Sequence, residues 1–114
     1  MDYQQVRTYL LSQREAVEDL SNGADAAVFR VRHKIFATLA KDGNGHRVSL
    51  KCEPGEALTL RDTFVAVVPG HHLNKKHWNT VILDGTVPEG ELKRMIDNSY
   101  ALVIATMPSS QQPG

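Results

Sequence analysis

Apolar and polar residues alternate through the middle of this chain and recur at helical spacing mainly near its ends, a pattern that predicts strands flanked by helices. Near the N-terminus, Val6, Leu10 and Val17 fall close to helical spacing with Tyr3 and Tyr9, and Asp2 followed by Gln5 has the D-x-x-Q form of an N-cap. A helix over about 3–14 follows. Asn22-Gly23 signals a turn. Beyond it Phe29, Val31, Ile35, Ala37 and Leu39 alternate with Arg30, Arg32, Lys34, Phe36 and Thr38, and a turn near Arg32-His33 folds this run into a hairpin. Asp42-Gly43-Asn44-Gly45 is a tight turn into a strand from His46 to Cys52, with Val48, Leu50 and Cys52 facing the core. Pro54 opens a short helix carrying Ala57, Leu58 and Arg61. Val65–Val68 and Trp78–Leu83 read as strands, with Pro69-Gly70 a turn or irregular edge between them. Thr86 and Glu89 form a T-x-x-E capping box, and Leu92, Met95, Ile96, Tyr100 and Val103 make an apolar stripe, predicting a helix over 87–105.

The order describes an α+β fold: an antiparallel sheet with N- and C-terminal helices packed on one face and the other face open to solvent. A chain of 114 residues supports one such domain, over residues 1–107, with the polar stretch 108–114 expected to be disordered. One cysteine, Cys52, excludes an internal disulfide or a multi-cysteine metal site. The start, Met1-Asp2-Tyr3-Gln4-Gln5, has neither a basic nor an apolar run, and the longest nearly apolar stretch, Tyr100 to Met107, falls far below the roughly 20 residues of a spanning helix. A cytoplasmic protein without a membrane span is the expectation.

The 13 basic and 13 acidic residues balance, yet they are not mixed evenly. Between 28 and 52, Arg30, Arg32, Lys34, Lys41, Arg47 and Lys51 stand against Asp42 alone. Period-2 alternation puts Arg30, Arg32, Lys34, Arg47 and Lys51 on one sheet face. Between 71 and 83, Lys75 and Lys76 stand among His71, His72 and His77 with no acid. Such segregation gives a neutral protein a basic face, the electrostatic footprint of nucleic-acid binding; it also describes an ordinary solvated face that keeps sheets from aggregating.

The run Leu73-Asn74-Lys75-Lys76-His77-Trp78-Asn79-Thr80-Val81, then Leu83-Asp84-Gly85, then Asp97-x-Ser99-Tyr100-x-Leu102-Val103, resembles the MmcQ/YjbR family. Phe29-Arg30-Val31 and Lys34-Ile35-Phe36-Ala37 resemble its first hairpin, so the resemblance spans roughly residues 2–104. His71 departs from it, a tyrosine being common there. The resemblance implies a fold like that of bacterial frataxin, the CyaY-like two-layer sandwich, and a double-wing DNA-binding protein that is not an enzyme.

The residues themselves fit that chemistry. Lys75 and Lys76 offer ammonium groups to phosphates, Asn74 an amide and Trp78 a ring that can stack, with His77 between them. The plain alternative makes Trp78 a packing residue and Asn74 a turn cap. Adjacent lysines diverge in a strand, so Lys75 and Lys76 serve one surface only in a loop. His71, His72 and His77 lack a nearby carboxylate or thiol to complete a metal site, and no cofactor is expected. No G-x-S-x-G surrounds Ser99, which falls on a packing stripe, and no phosphate-binding glycine loop occurs. The expectation is a monomer that contacts double-stranded DNA through Arg30, Arg32, Lys34, Arg47, Lys51, Asn74, Lys75, Lys76, His77 and Trp78. The competing reading is a module that binds a protein partner or small ligand on its open sheet face.

Overall fold

The computed structural model describes residues 1–43, 45–70 and 73–114. Helix α1 (Tyr3–Leu11) starts at the expected capping box: Asp2 accepts from the Gln5 amide at 2.8 Å while the Gln5 side chain accepts from the Asp2 amide at 2.9 Å. It stops before residue 14, and Val17 instead enters a short strand, β1 (Val17–Asp19), that the pattern did not predict. Strands β2 (Ala26–Val31), β3 (Lys34–Asp42), β4 (Gly45–Lys51), β5 (Val67–Pro69) and β6 (Trp78–Ile82) complete one antiparallel sheet in the order β1-β2-β3-β4-β6-β5. Helix α2 (Pro54–Thr63) links β4 to β5, and α3 (Glu89–Ala105) follows β6.

The α+β class and the helix-covered face are as expected, with α2 joining α1 and α3. Val6 and Leu10 of α1, Ala57 and Leu60 of α2, and Leu92, Met95, Ile96 and Val103 of α3 are buried in one core with Ala27, Phe29, Leu39, Val48, Leu50 and Val81 of the sheet. The helices are also tied to one another. Tyr9 and Gln13 both donate to Asp97, and Arg94 bridges Glu91 and Glu56.

Several local expectations are corrected. The hairpin turn falls at Arg32-His33, both in left-handed backbone (φ 49° and 77°), but a bulge then shifts the register: Phe29 pairs with Ala37 while Arg30 pairs with Ile35. Phe36 and Ala37 are both fully buried, and Ile35 takes the outward place. A bulge leaves one residue unpaired, and the alternation resumes displaced by one. Val65 lies outside β5 and is 98% exposed, whereas Pro69 belongs to it, tolerated because β5 is an edge strand. The T-x-x-E box does not form. Pro88 is the N-cap of α3, and Thr86 turns back to Asp84 through both its amide (3.0 Å) and hydroxyl (2.6 Å). Beyond α3, the stretch expected to be disordered includes a 3-10 turn, Ser109–Gln111. No described helix is long and apolar enough to cross a membrane.

Candidate nucleic-acid interface

Cross-strand register defines the outer sheet face in rows. Arg30, Ile35, Lys51 and Trp78 lie across one end, Val28, Thr38, Ser49 and Thr80 across the middle, and Ala26, Ala40, Arg47 and Ile82 beyond them. Of the five basic residues expected to share this face, three do. Arg30 and Lys51 are at the same end, whereas Arg47 sits four residues along β4, about 13 Å away at 3.3 Å per residue. Arg32 belongs to the hairpin turn, and Lys34 pairs with Val31, whose side chain is in the helix-side core. The basic face is thus a basic end.

Two turns frame that end. One is the β2–β3 hairpin with Arg32, His33 and Lys34. The other is the Asn74–His77 turn, where the Asn74 side chain accepts from the Lys76 amide at 2.9 Å and the Asn74 carbonyl from the His77 amide at 3.1 Å. The His77 carbonyl accepts from the Cys52 amide at 2.7 Å, fixing the turn to the end of β4. Lys75, Lys76 and His77 are all exposed, as a loop allows and a strand would not. Trp78 is half-buried beside Lys51, with Gly70 behind it; a Cβ at Gly70 would stand 2.8 Å from the Trp78 Cβ. His71 and His72 lie outside the described residues.

The cations differ in how far they are compensated. Arg30 meets Asp19 at 3.2 Å and donates to the His33 carbonyl at 3.1 Å, while Arg32 meets Glu15 at 3.2 Å. The bond from Arg30 helps hold the Asp19 carboxyl below its ordinary range, after the larger effect of hydrogen bonds from Ser21. By contrast Lys34, Lys51, Lys75 and Lys76 make no ion pair with any described residue.

Sequence reasoning missed two residues that build this end. Arg61 of α2 donates from Nε to Asn79 Oδ1 at 2.7 Å and from Nη2 to the Lys75 carbonyl, pinning the lysine turn; Asn79 also donates to the Ala57 carbonyl at 3.2 Å. Its partners lie 14 and 18 residues away, so no local spacing signals them. Ser99 is fully buried on α3, accepting from the Lys51 amide at 2.8 Å and donating to the Phe36 carbonyl at 2.5 Å. Its position on a stripe revealed packing but not this bridge.

Other groups offer little chemistry. Cys52 is buried, and burial, reinforced by the Glu56 charge, pushes its thiol up to about 11. Among the described residues no three metal-ligating side chains stand together.

The YjbR family model matches residues 11–102. The "Uncharacterized protein YjbR" of Escherichia coli (strain K12) is 31% identical over 112 residues, which cover 98% of this chain and 95% of that protein. The "Uncharacterized protein YyaQ" of Bacillus subtilis (strain 168) is 38% identical over 66 residues, 56% of this chain and 55% of that protein. Among solved structures, Deinococcus radiodurans protein DR2400, described as a DUF419 domain, superposes with a TM-score of 0.88 at 30% identity, covering 96% of this chain and 84% of its own. A Pseudomonas syringae protein superposes with a TM-score of 0.77 at 31% identity, covering 90% and 98%.

Proposed function

The chain belongs to the YjbR family, and on that premise we propose that it binds duplex DNA, chiefly through phosphates, with the basic end of its sheet. One observation carries the reading: Lys51, Lys75 and Lys76 lie on the Asn74–His77 turn and the strand end beside it, and Lys34 lies next to the hairpin turn at the same end of the sheet, all without an ion pair to a described residue. A lysine with no ion pair has no carboxylate to give up when it meets a phosphate. Two turns can straddle one backbone, with Trp78 between them and Asn74 on one of them to contact sugar or base edges. Arg30 and Arg32 contribute less, since each would first have to leave Asp19 or Glu15. Arg47, on the far row, is peripheral to this surface.

Binding rather than catalysis is also the reading that the candidate nucleophiles support. The Ser99 hydroxyl is committed at both its donor and acceptor sides, and the Cys52 thiol stays protonated at neutral pH. A monomer with non-specific affinity of about 10⁻⁴ to 10⁻⁶ M at physiological salt suffices. The test is fluorescence anisotropy of a labelled duplex of about 20 base pairs at several salt concentrations. Binding should weaken with salt, and Lys75→Ala/Lys76→Ala should flatten the log–log slope by about 1.8, at 0.9 per phosphate contact. Lys34→Ala/Lys51→Ala should do the same. Absence of saturable binding at low salt, or slopes unmoved in both variants, refutes the reading.

A further inference from the structure

Beside the lysine turn lies a cleft of about 250 Å³ lined by Pro54, Leu58, Arg61, Lys75 and Lys76. Pro54, Leu58 and Arg61 are spaced four and three residues apart and so share one face of α2. That face is unusual for a short surface helix, because Leu58 is 60% exposed next to three cations. Arg61 is held at Nε by Asn79 and at Nη2 by the Lys75 carbonyl, which fixes the plane of its guanidinium. Those acceptors are neutral, so its charge is not cancelled. No carboxylate lines the cleft, and neither Lys75 nor Lys76 is paired with a described residue.

An apolar wall, an immobilised guanidinium plane and two unpaired ammonium groups together suit a flat, apolar-faced group attached to an anion. We infer that this cleft holds one unpaired nucleotide, its base between Leu58 and the Arg61 plane and its phosphate at Lys75 and Lys76. Bases stack on guanidinium planes and against apolar side chains, while a fully paired duplex would use the lysines and leave Leu58 without a role. The cleft is smaller than the roughly 300–1,000 Å³ of drug-sized sites, so it takes one base, not a length of strand. This deepens the proposed function and rests on its phosphate-binding turn. The nucleotide can come from a strand end or bulge, or be free in solution.

Three probes separate the cases: a blunt duplex, the same duplex with a short single-stranded 3′ overhang, and deoxyadenosine monophosphate titrated while amide NMR shifts are followed. The overhang duplex should bind roughly fivefold or more tighter than the blunt one. Leu58→Gln, at an exposed position that does not threaten folding and adding no charge beside Lys75 and Lys76, should erase that margin and leave blunt-duplex affinity and its salt slope unchanged. Shifts confined to Leu58, Arg61, Lys75 and Lys76 with the mononucleotide would support the cleft as a site for free nucleotide as well. Equal affinity for both duplexes without mononucleotide shifts overturns the inference while the duplex reading stands. Binding of the overhang or mononucleotide without binding of the blunt duplex supports the cleft and removes the duplex reading.

Discussion

Ser99→Ala deletes one oxygen from the place where β3 and β4 part. Antiparallel amides point alternately to either neighbour, and because the Cys52 amide bonds the His77 carbonyl on the β6 side, the Lys51 amide points toward β3. The bulge at Phe36 has displaced the acceptor it would meet, since the last β3–β4 pair is Ala37 with Leu50. The Ser99 hydroxyl fills the gap, accepting from β4 and donating to β3. Alanine leaves both an amide and a carbonyl unsatisfied beside a fully buried position, at about 1–3 kcal/mol for each such group. The half-buried Lys51 end recovers some solvation, so the sum comes to about 2–4 kcal/mol, a large share of the 5–15 kcal/mol available to a domain. Urea unfolding should show the midpoint falling with the slope unchanged, and Tm should drop by roughly 8–15 °C. Hydrogen exchange at the Lys51 amide should accelerate beyond the global loss. A destabilisation below about 0.5 kcal/mol, with Lys51 exchange unchanged, would show that the bridge carries no energy.

Gly70→Ala places a Cβ 2.8 Å from the Trp78 Cβ and 3.0 Å from its carbonyl oxygen, forcing the two strands apart. A cost of about 1–3 kcal/mol and a shift in the emission of this single tryptophan should follow, and unchanged emission and midpoint would refute the close packing. Glu18 accepts from Arg7 Nε at 2.9 Å and Nη2 at 2.6 Å, and these bonds hold its carboxyl below the ordinary range. A depressed folded pKa stabilises above the unfolded value and loses that contribution as pH falls through the folded one, so Glu18→Gln should be less stable than the parent at pH 7, with the gap narrowing as pH is lowered below the ordinary carboxylate range. A gap that is unchanged by pH in urea titrations would contradict the pairing. Cys52, with its thiol raised to about 11, should resist iodoacetamide in the native protein at pH 8 and react readily in urea; rapid native labelling, read by mass, would overturn its burial.

The parts of this protein legible in its sequence are those decided within a few residues. The α1 capping box and the Asn74 turn each depend on a side chain and a backbone group two or three positions apart, and the Arg32-His33 turn on two adjacent residues in left-handed backbone. Hence the exposure of both Lys75 and Lys76 on one loop could be foreseen. The expected capping box at Thr86 failed for a related reason: Asp84 lies two residues away and outcompetes the helix for the same hydroxyl. Strand β1 was hidden because three residues carry no periodicity, and its acids became visible as partners of Arg30 and Arg7 only once it paired with β2.

The basic face shows why period-2 counting overreached. Alternation assigns every residue of a strand to a face from one reference point, so a single unpaired residue reverses all assignments between it and the turn. Phe36 is that residue, and its displacement moved Lys34 to the helix side while Ile35 came out beside Arg30. Nothing near Phe36 in sequence announces the bulge, because its support comes from Ser99, 63 residues away. The same serine bonds the Lys51 amide, so one buried hydroxyl sets both where the hairpin lysine lies and how firmly the β4 lysine is held. The cationic end of the sheet is therefore positioned from the core side by α3, and a surface variant such as Lys34→Ala tests its charge while Ser99→Ala tests its placement.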